Sequence, residues 1–173
     1  MRIFIILTLL LSTFSVVQAQ EIEFSRAELQ QTLESYMPHT QQQSIVQLTL
    51  DKPRLQLLAD EQRVQIKCLV QVASIIGGQG QGWVTFNGKL RYQNTDHSFY
   101  IDDLRIIDLE IEGMPQEFKG QVIRLTQDIA APLLAEQPVY TLKSDNIQES
   151  LAKMMLRSIT IKENAVVASL SLF

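Results

Sequence analysis

The stretch Arg63-Val64-Gln65-Ile66-Lys67-Cys68-Leu69-Val70-Gln71-Val72 sets the frame for the chain. Val64, Ile66, Cys68, Val70 and Val72 fall on one side, and Arg63, Gln65, Lys67 and Gln71 on the other. A strand turns successive side chains to opposite faces, so a two-residue apolar repeat with one wet face predicts antiparallel sheet. Cys68 stands on the apolar side between Ile66 and Val70. A reactive cysteine needs a nearby histidine or cation to hold its thiolate, so this position predicts a buried structural thiol.

The same period continues on both sides. Upstream, Val46, Leu48 and Leu50 alternate with Gln47 and Thr49, Asp51-Lys52-Pro53 reads as a turn, and Leu55, Leu57 and Ala59 form a further strand. A turn at Ala59 to Gln62 leads into the central strand. Downstream, Gly82 to Tyr92 puts Val84, Phe86, Leu90 and Tyr92 inward. Asn94-Thr95-Asp96 turns the chain into another strand, Phe99 to Glu112. The glycines from Gly77 to Gly82 precede a strand, whereas a dinucleotide loop must open a helix, so they predict a hairpin tip or a sheet bend.

Helical spacing frames the strands. At the N-terminal end, Ser25 and Glu28 form a capping box and Phe24 and Leu29 a hydrophobic staple, opening a helix through Leu29 and Leu33 that Pro38 ends. Thr40 to Gln43 reads as a polar loop. In the second half, Gln116 to Glu136 carries Phe118, Val122, Leu125, Ile129 and Leu133 at steps of three and four, with Ile123, Ala130 and Leu134 widening the stripe. Pro132 should kink or shorten that helix. Gln137 to Leu142 reads as extended. Asp145 then caps a short helix with Ile147, Leu151, Met154 and Met155. Ile159 and Ile161, a turn at Glu163-Asn164, and Val166, Ala168, Leu170 and Leu172 close the chain as a hairpin. No internal repeat, low-complexity tract or linker interrupts this order, so one α+β domain is expected over residues 20–173.

Residues 1–19 have a different character. Arg2, the apolar run Ile3 to Leu11 and Val17-Gln18-Ala19 form the three parts of a secretory signal, with cleavage expected after Ala19. The polar Ser12, Thr13, Ser15 and Gln18 keep the run shorter than a membrane span. No lipid-acceptor cysteine stands at the cleavage site, so the expectation is a soluble periplasmic protein without a transmembrane span. The full chain carries a net charge of −4. Losing Arg2 makes it one unit more negative. With no basic cluster, nucleic acid is excluded as a partner. A single cysteine excludes an internal disulfide.

Chemistry-bearing residues are sparse. Asp102, Asp103, Asp108, Glu110 and Glu112 make the densest acidic group, read chiefly as a solvated face that protects a sheet edge. A cation or acid/base site there is the alternative. His39 and His97 fall in expected loops without metal-ligand spacing. No catalytic residue, metal or cofactor is expected, and the protein is not read as an enzyme. The helix stripe is broader than covering one sheet face requires. One outcome is ordinary packing; the other is an apolar cavity that takes an acyl chain.

Phe99-Tyr100-Ile101-Asp102-Asp103-Leu104-Arg105-Ile106-Ile107-Asp108, the long proline-bearing helix, and Gln137-Pro138-Val139-Tyr140-Thr141-Leu142 together resemble the YceB-like family of Gram-negative envelope lipoproteins, a domain of unknown function. The resemblance implies a tubular lipid-binding-like fold: a curved antiparallel sheet wrapped around the long helix of the C-terminal half, with a short N-terminal helix and a closing hairpin. It also implies binding of a lipid or other apolar molecule. Family members bear a lipid-acceptor cysteine that this chain lacks. The expected ligand-lining residues are Val64, Ile66, Val70, Phe86, Leu90 and Tyr92 from the sheet, with Val122, Leu125, Ile129 and Leu133 from the helix. The competing expectation is an accessory protein with a solid core that acts through an envelope protein partner.

Overall fold

A computed structural model describes residues 20–43, 46–74, 79–112 and 116–171. The expected signal segment, residues 1–19, and Gly77, Gly78 and Leu172 lie outside these. The described chain forms, in order, β1 (Glu21–Ser25), α1 (Arg26–Ser35), β2 (His39–Gln43), β3 (Val46–Leu58), β4 (Arg63–Ser74), β5 (Gln79–Gln93), β6 (Ser98–Ile111), α2 (Gln116–Glu136), β7 (Tyr140–Thr141), α3 (Ile147–Met155), β8 (Leu156–Ile161) and β9 (Ala165–Leu170). The strands make two antiparallel sheets, one ordered β2-β3-β4-β5-β6-β7 and one ordered β1-β9-β8.

The central alternation is realised in β4. Val64, Ile66, Cys68 and Val70 are buried, and they face Gly88, Phe86, Val84 and Gly82 of β5 across the ladder. On the opposite face Lys67 and Arg54 stand over the ring of Trp83, 5.7 and 4.9 Å from its centroid. Gly82 and Gly88 permit close approach of β6 to β5. A Cβ at Gly82 would collide with the Glu110 carbonyl, and one at Gly88 with the Ile101 side chain. The glycines read as a hairpin tip or a sheet bend lie where β4 passes to its antiparallel neighbour, Ala73 pairing with Gln79; of them, Gly80 and Gly82 belong to strand β5 itself.

The expectation of an α+β fold with one curved sheet wrapped around the long helix is wrong. The described residues are predominantly strand, their strands divide into two sheets, and neither of these sheets wraps a long helix. The reason lies in α2 itself. Gly120, Arg124, Asp128, Pro132 and Glu136 form a continuous exposed stripe at four-residue spacing. A helix with such a wet side cannot be enclosed by apolar sheet. It packs instead mainly on β6, with lesser contact to β3. The rest of the core comes from the small sheet and α1, through Ile22, Phe24, Leu29, Leu33, Val166 and Ala168. That sheet depends on pairing Glu21 with Ser169, at opposite ends of the chain.

Several local expectations change as well. The residues read as a loop, Thr40 to Gln43, form edge strand β2 on β3. The Asp51-Lys52-Pro53 turn is a bulge inside one continuous strand β3, with Lys52 at φ 48°. Asp103, at φ 50°, marks a matching irregularity in β6. The helix N-cap is Asn146 rather than Asp145; its side chain accepts from the Gln148 and Glu149 amides. α2 runs its full expected length through Pro132, which sits on the exposed stripe. The capping box forms as expected, with Ser25 N–H donating to Glu28 Oε2 at 2.9 Å and Glu28 N–H to Ser25 Oγ at 3.3 Å.

Candidate functional site

The six sheet residues expected to line a ligand lie on one face of β4 and β5, because the register sets Ile66 opposite Phe86 and Val64 and Val70 opposite glycines. Val64, Ile66, Val70 and Phe86 are at most 2 % exposed. Leu90 and Tyr92 are half-buried and pack against that core. Tyr92 also meets the ring of Phe99 at 5.2 Å and shares a hydrogen bond of 3.1 Å with His97 Nδ1. From α2, Ile123, Ala131 and Leu134 join the same core. Val122, Leu125, Ile129 and Leu133 belong to α2, and their side chains lie outside the described residues.

α2 is anchored by a residue that sequence reading passed over. Gln127 Nε2 donates to the Leu104 carbonyl and its Oε1 accepts from the Ile106 amide, both at 2.9 Å. The amide thus pairs with the β6 backbone just past the positive-φ Asp103, as a neighbouring strand would. α1 uses the same device at the other irregularity. Gln30 Nε2 donates to the Pro53 carbonyl at 2.6 Å and its Oε1 accepts from the Leu55 amide at 2.7 Å, just past Lys52. Immediately before Gln127, Thr126 is fully buried and its hydroxyl has no hydrogen-bond partner among the described residues.

The other candidates resolve into structural roles. Burial, with a smaller contribution from the charge of Asp51, pushes the Cys68 thiol up to about 12, so it stays protonated at neutral pH. Within the acidic group, Asp102 pairs with Arg91 at 2.6 Å, and Asp103 with Arg63 at 3.3 Å and Arg105 at 2.7 Å. The hydrogen bond from Arg105, then that from Arg63, holds the Asp103 carboxyl below the usual carboxylate range. Asp108, Glu110 and Glu112 are exposed. Among the described residues no three of His, Cys, Asp and Glu gather in a metal-holding group. His39 lies in strand β2 rather than a loop, and His97 lies in a turn as expected; both are half-buried.

A buried carboxylate appears where none was expected. Glu149 of α3 accepts from the Lys143 amide at 2.6 Å, from the Tyr140 hydroxyl at 3.2 Å and from Asn146 Nδ2 at 3.2 Å. Its lone pairs are spent on tying β7 to the start of α3. Burial, and then the neighbouring Glu149 charge, raise the Tyr140 phenol. At the far end of the large sheet, a polar groove of about 560 Å³ is lined by Gln47, Thr49, Gln71, Gln81 and Glu112 among others. Its amides face one another across the strands, with Gln71 Nε2 donating to Gln81 Oε1 at 3.4 Å.

No helix among the described residues is long and apolar enough to cross a membrane. The model of a family described as a protein of unknown function (DUF1439) matches residues 24–165. No curated protein matches the chain.

Proposed function

The chain belongs to the DUF1439 family, which carries no assigned activity, and from that premise we propose that it is an exported, non-catalytic protein that holds a lipid or other apolar ligand between its six-stranded sheet and α2. One observation carries this reading. Leu90, Ile106, Ile111 and Ile123, from two adjacent strands and α2, pack against the core yet are only half-buried. A sealed sheet–helix interior excludes water from side chains of that kind. The signal-like residues 1–19 and the resemblance to envelope proteins support a periplasmic setting. Of the expected sheet lining, the half-buried Leu90 and Tyr92 are open to an occupant, whereas Val64, Ile66, Val70 and Phe86 are at most 2 % exposed; on the helix the occupant would contact Val122, Leu125, Ile129 and Leu133.

Native mass spectrometry with solvent extraction, on protein purified from the periplasm without detergent, tests the proposal. A stoichiometric lipid is expected. Ile129→Trp should then abolish lipid carriage while circular dichroism stays native. A bare protein mass, together with no uptake of a fluorescent fatty acid, would overturn the reading.

A second reading is favoured by α3. Ile147 and Met154, seven residues apart on one side of that helix, are 80 % and 76 % exposed. Such an apolar stripe suits a protein partner. Under this reading Ile147→Asp removes partner binding and leaves lipid content unchanged.

A further inference from the structure

Thr126 is an anomaly in an otherwise well-paired core. It is 0 % exposed, and its Oγ1 is the buried side-chain oxygen that makes no hydrogen bond among the described residues. Buried hydroxyls are paired in nearly all native structures, because an unpaired one has lost its water and gained nothing. A threonine within a helix ordinarily bonds the carbonyl one turn back, and Thr126 does not.

Its place in α2 gives the anomaly a direction. Helical spacing sets Thr126 four residues after Val122, three before Ile129 and seven before Leu133, so it belongs to the stripe assigned to the ligand. The adjacent Gln127 fastens that turn of helix to the Leu104 and Ile106 backbone, which holds the hydroxyl in place before anything binds. The chemistry of its partner is also restricted. Arg124, Asp128 and Glu136 all lie on the exposed stripe of α2, so the helix side chains that are described offer no buried cation to a carboxylate.

We propose that the ligand is a neutral, oxygen-bearing lipid, an acyl ester, whose carbonyl oxygen accepts a hydrogen bond from Thr126 Oγ1. This rests on the reading of the sheet–helix interior as a ligand site. Thr126 is then the polar contact that sets the depth of the ester in an otherwise apolar site.

Displacement of the hydrocarbon fluorophore diphenylhexatriene by three ligands of similar length tests it: methyl laurate, n-tetradecane and laurate. Wild-type protein should bind methyl laurate about 3- to 10-fold more tightly than n-tetradecane, the range of one neutral hydrogen bond, and laurate more weakly than the ester. Thr126→Val keeps the side-chain shape and should erase the ester preference while leaving the affinity for n-tetradecane unchanged. Thr126→Ser should retain the preference, which keeps the test decisive if the valine variant folds poorly. Without ligand, Thr126→Val should melt at a higher temperature than wild type, because the unpaired hydroxyl is gone. An equal ester preference in Thr126→Val and wild type, or a lower melting temperature for the valine variant, overturns the assignment of Thr126. Tighter binding of laurate than of its ester overturns the neutral class. Failure of wild-type protein to bind diphenylhexatriene at all refutes the ligand site itself, and the inference with it.

Discussion

At the scale of single residues, three glutamine amides act as pieces of backbone. Gln30 and Gln127 each pair with a carbonyl and an amide of a strand just past a positive-φ residue. Gln62 does the same to β8, donating to the Ile161 carbonyl and accepting from the Ile161 amide, both at 2.9 Å. Only a primary amide offers a donor and an acceptor side by side at the right spacing. Gln127→Glu removes the donor and sets a carboxylate against the Leu104 carbonyl. It should destabilise the fold by about 1–3 kcal/mol, seen as a lower midpoint in urea with an unchanged slope. Cys68 gives a residue-scale test of a different kind. Its buried, protonated thiol should not react with Ellman's reagent in native buffer near pH 8, and should react fully once the chain is unfolded in guanidinium.

At the scale of elements, the helices depend on their ends and their anchors more than on their length. α1 opens with a reciprocal cap between Ser25 and Glu28, and its buried residues Leu29 and Leu33 face β3 and the small sheet. The Ser25 side chain, then the Ser25 backbone, hold the Glu28 carboxyl below its usual value. A depressed carboxylate stabilises the folded state above its unfolded pKa, and that contribution disappears as pH falls through the folded value. Ser25→Ala should therefore cost about 1 kcal/mol near neutral pH. The gap between variant and wild type should narrow below about pH 4, the ordinary carboxylate range. Urea titrations at neutral and acidic pH would check this. A gap that stayed constant across that range would mean the Glu28 charge plays no part in the cap.

At the scale of the whole molecule, two sheets share one core through an aromatic junction. Phe24 of β1 meets Phe99 of β6 at 5.3 Å and Tyr140 of β7 at 4.9 Å, and Tyr92 of β5 extends the cluster. These rings join the first strand of the small sheet to the last strands of the large one. Truncating Phe24 should cost about 3–5 kcal/mol and move one cooperative thermal transition to lower temperature. Two separated transitions in wild type would show that the sheets unfold independently. The residues that carry the family resemblance, Phe99 to Asp108 and Gln137 to Leu142, supply the large-sheet side of this junction.

Local patterns alone determined much of this protein. The alternation in β4 and β5, the 3.6-residue stripe of α2, the capping box at Ser25 and the closing hairpin each arise from neighbours within a few positions, so their physics is written in short windows. Tertiary structure decided the rest. β1 carries only Ile22 and Phe24 as apolar residues, and becomes a strand because β9 lies beside it. Thr40 to Gln43 is polar throughout, and becomes a strand because β3 supplies its hydrogen bonds. Lys52 reads as a turn residue and Asp103 as plain strand, but the ladders on both sides absorb them as bulges, and a helix glutamine satisfies the freed backbone. The same holds for the candidate site. The inward face of β4 and β5 was legible from period two, whereas the anchoring by Gln127 and the unpaired hydroxyl of Thr126 depend on which strand α2 meets. A backbone group can be paired by any distant segment that reaches it, and the sequence of a window does not record which one does.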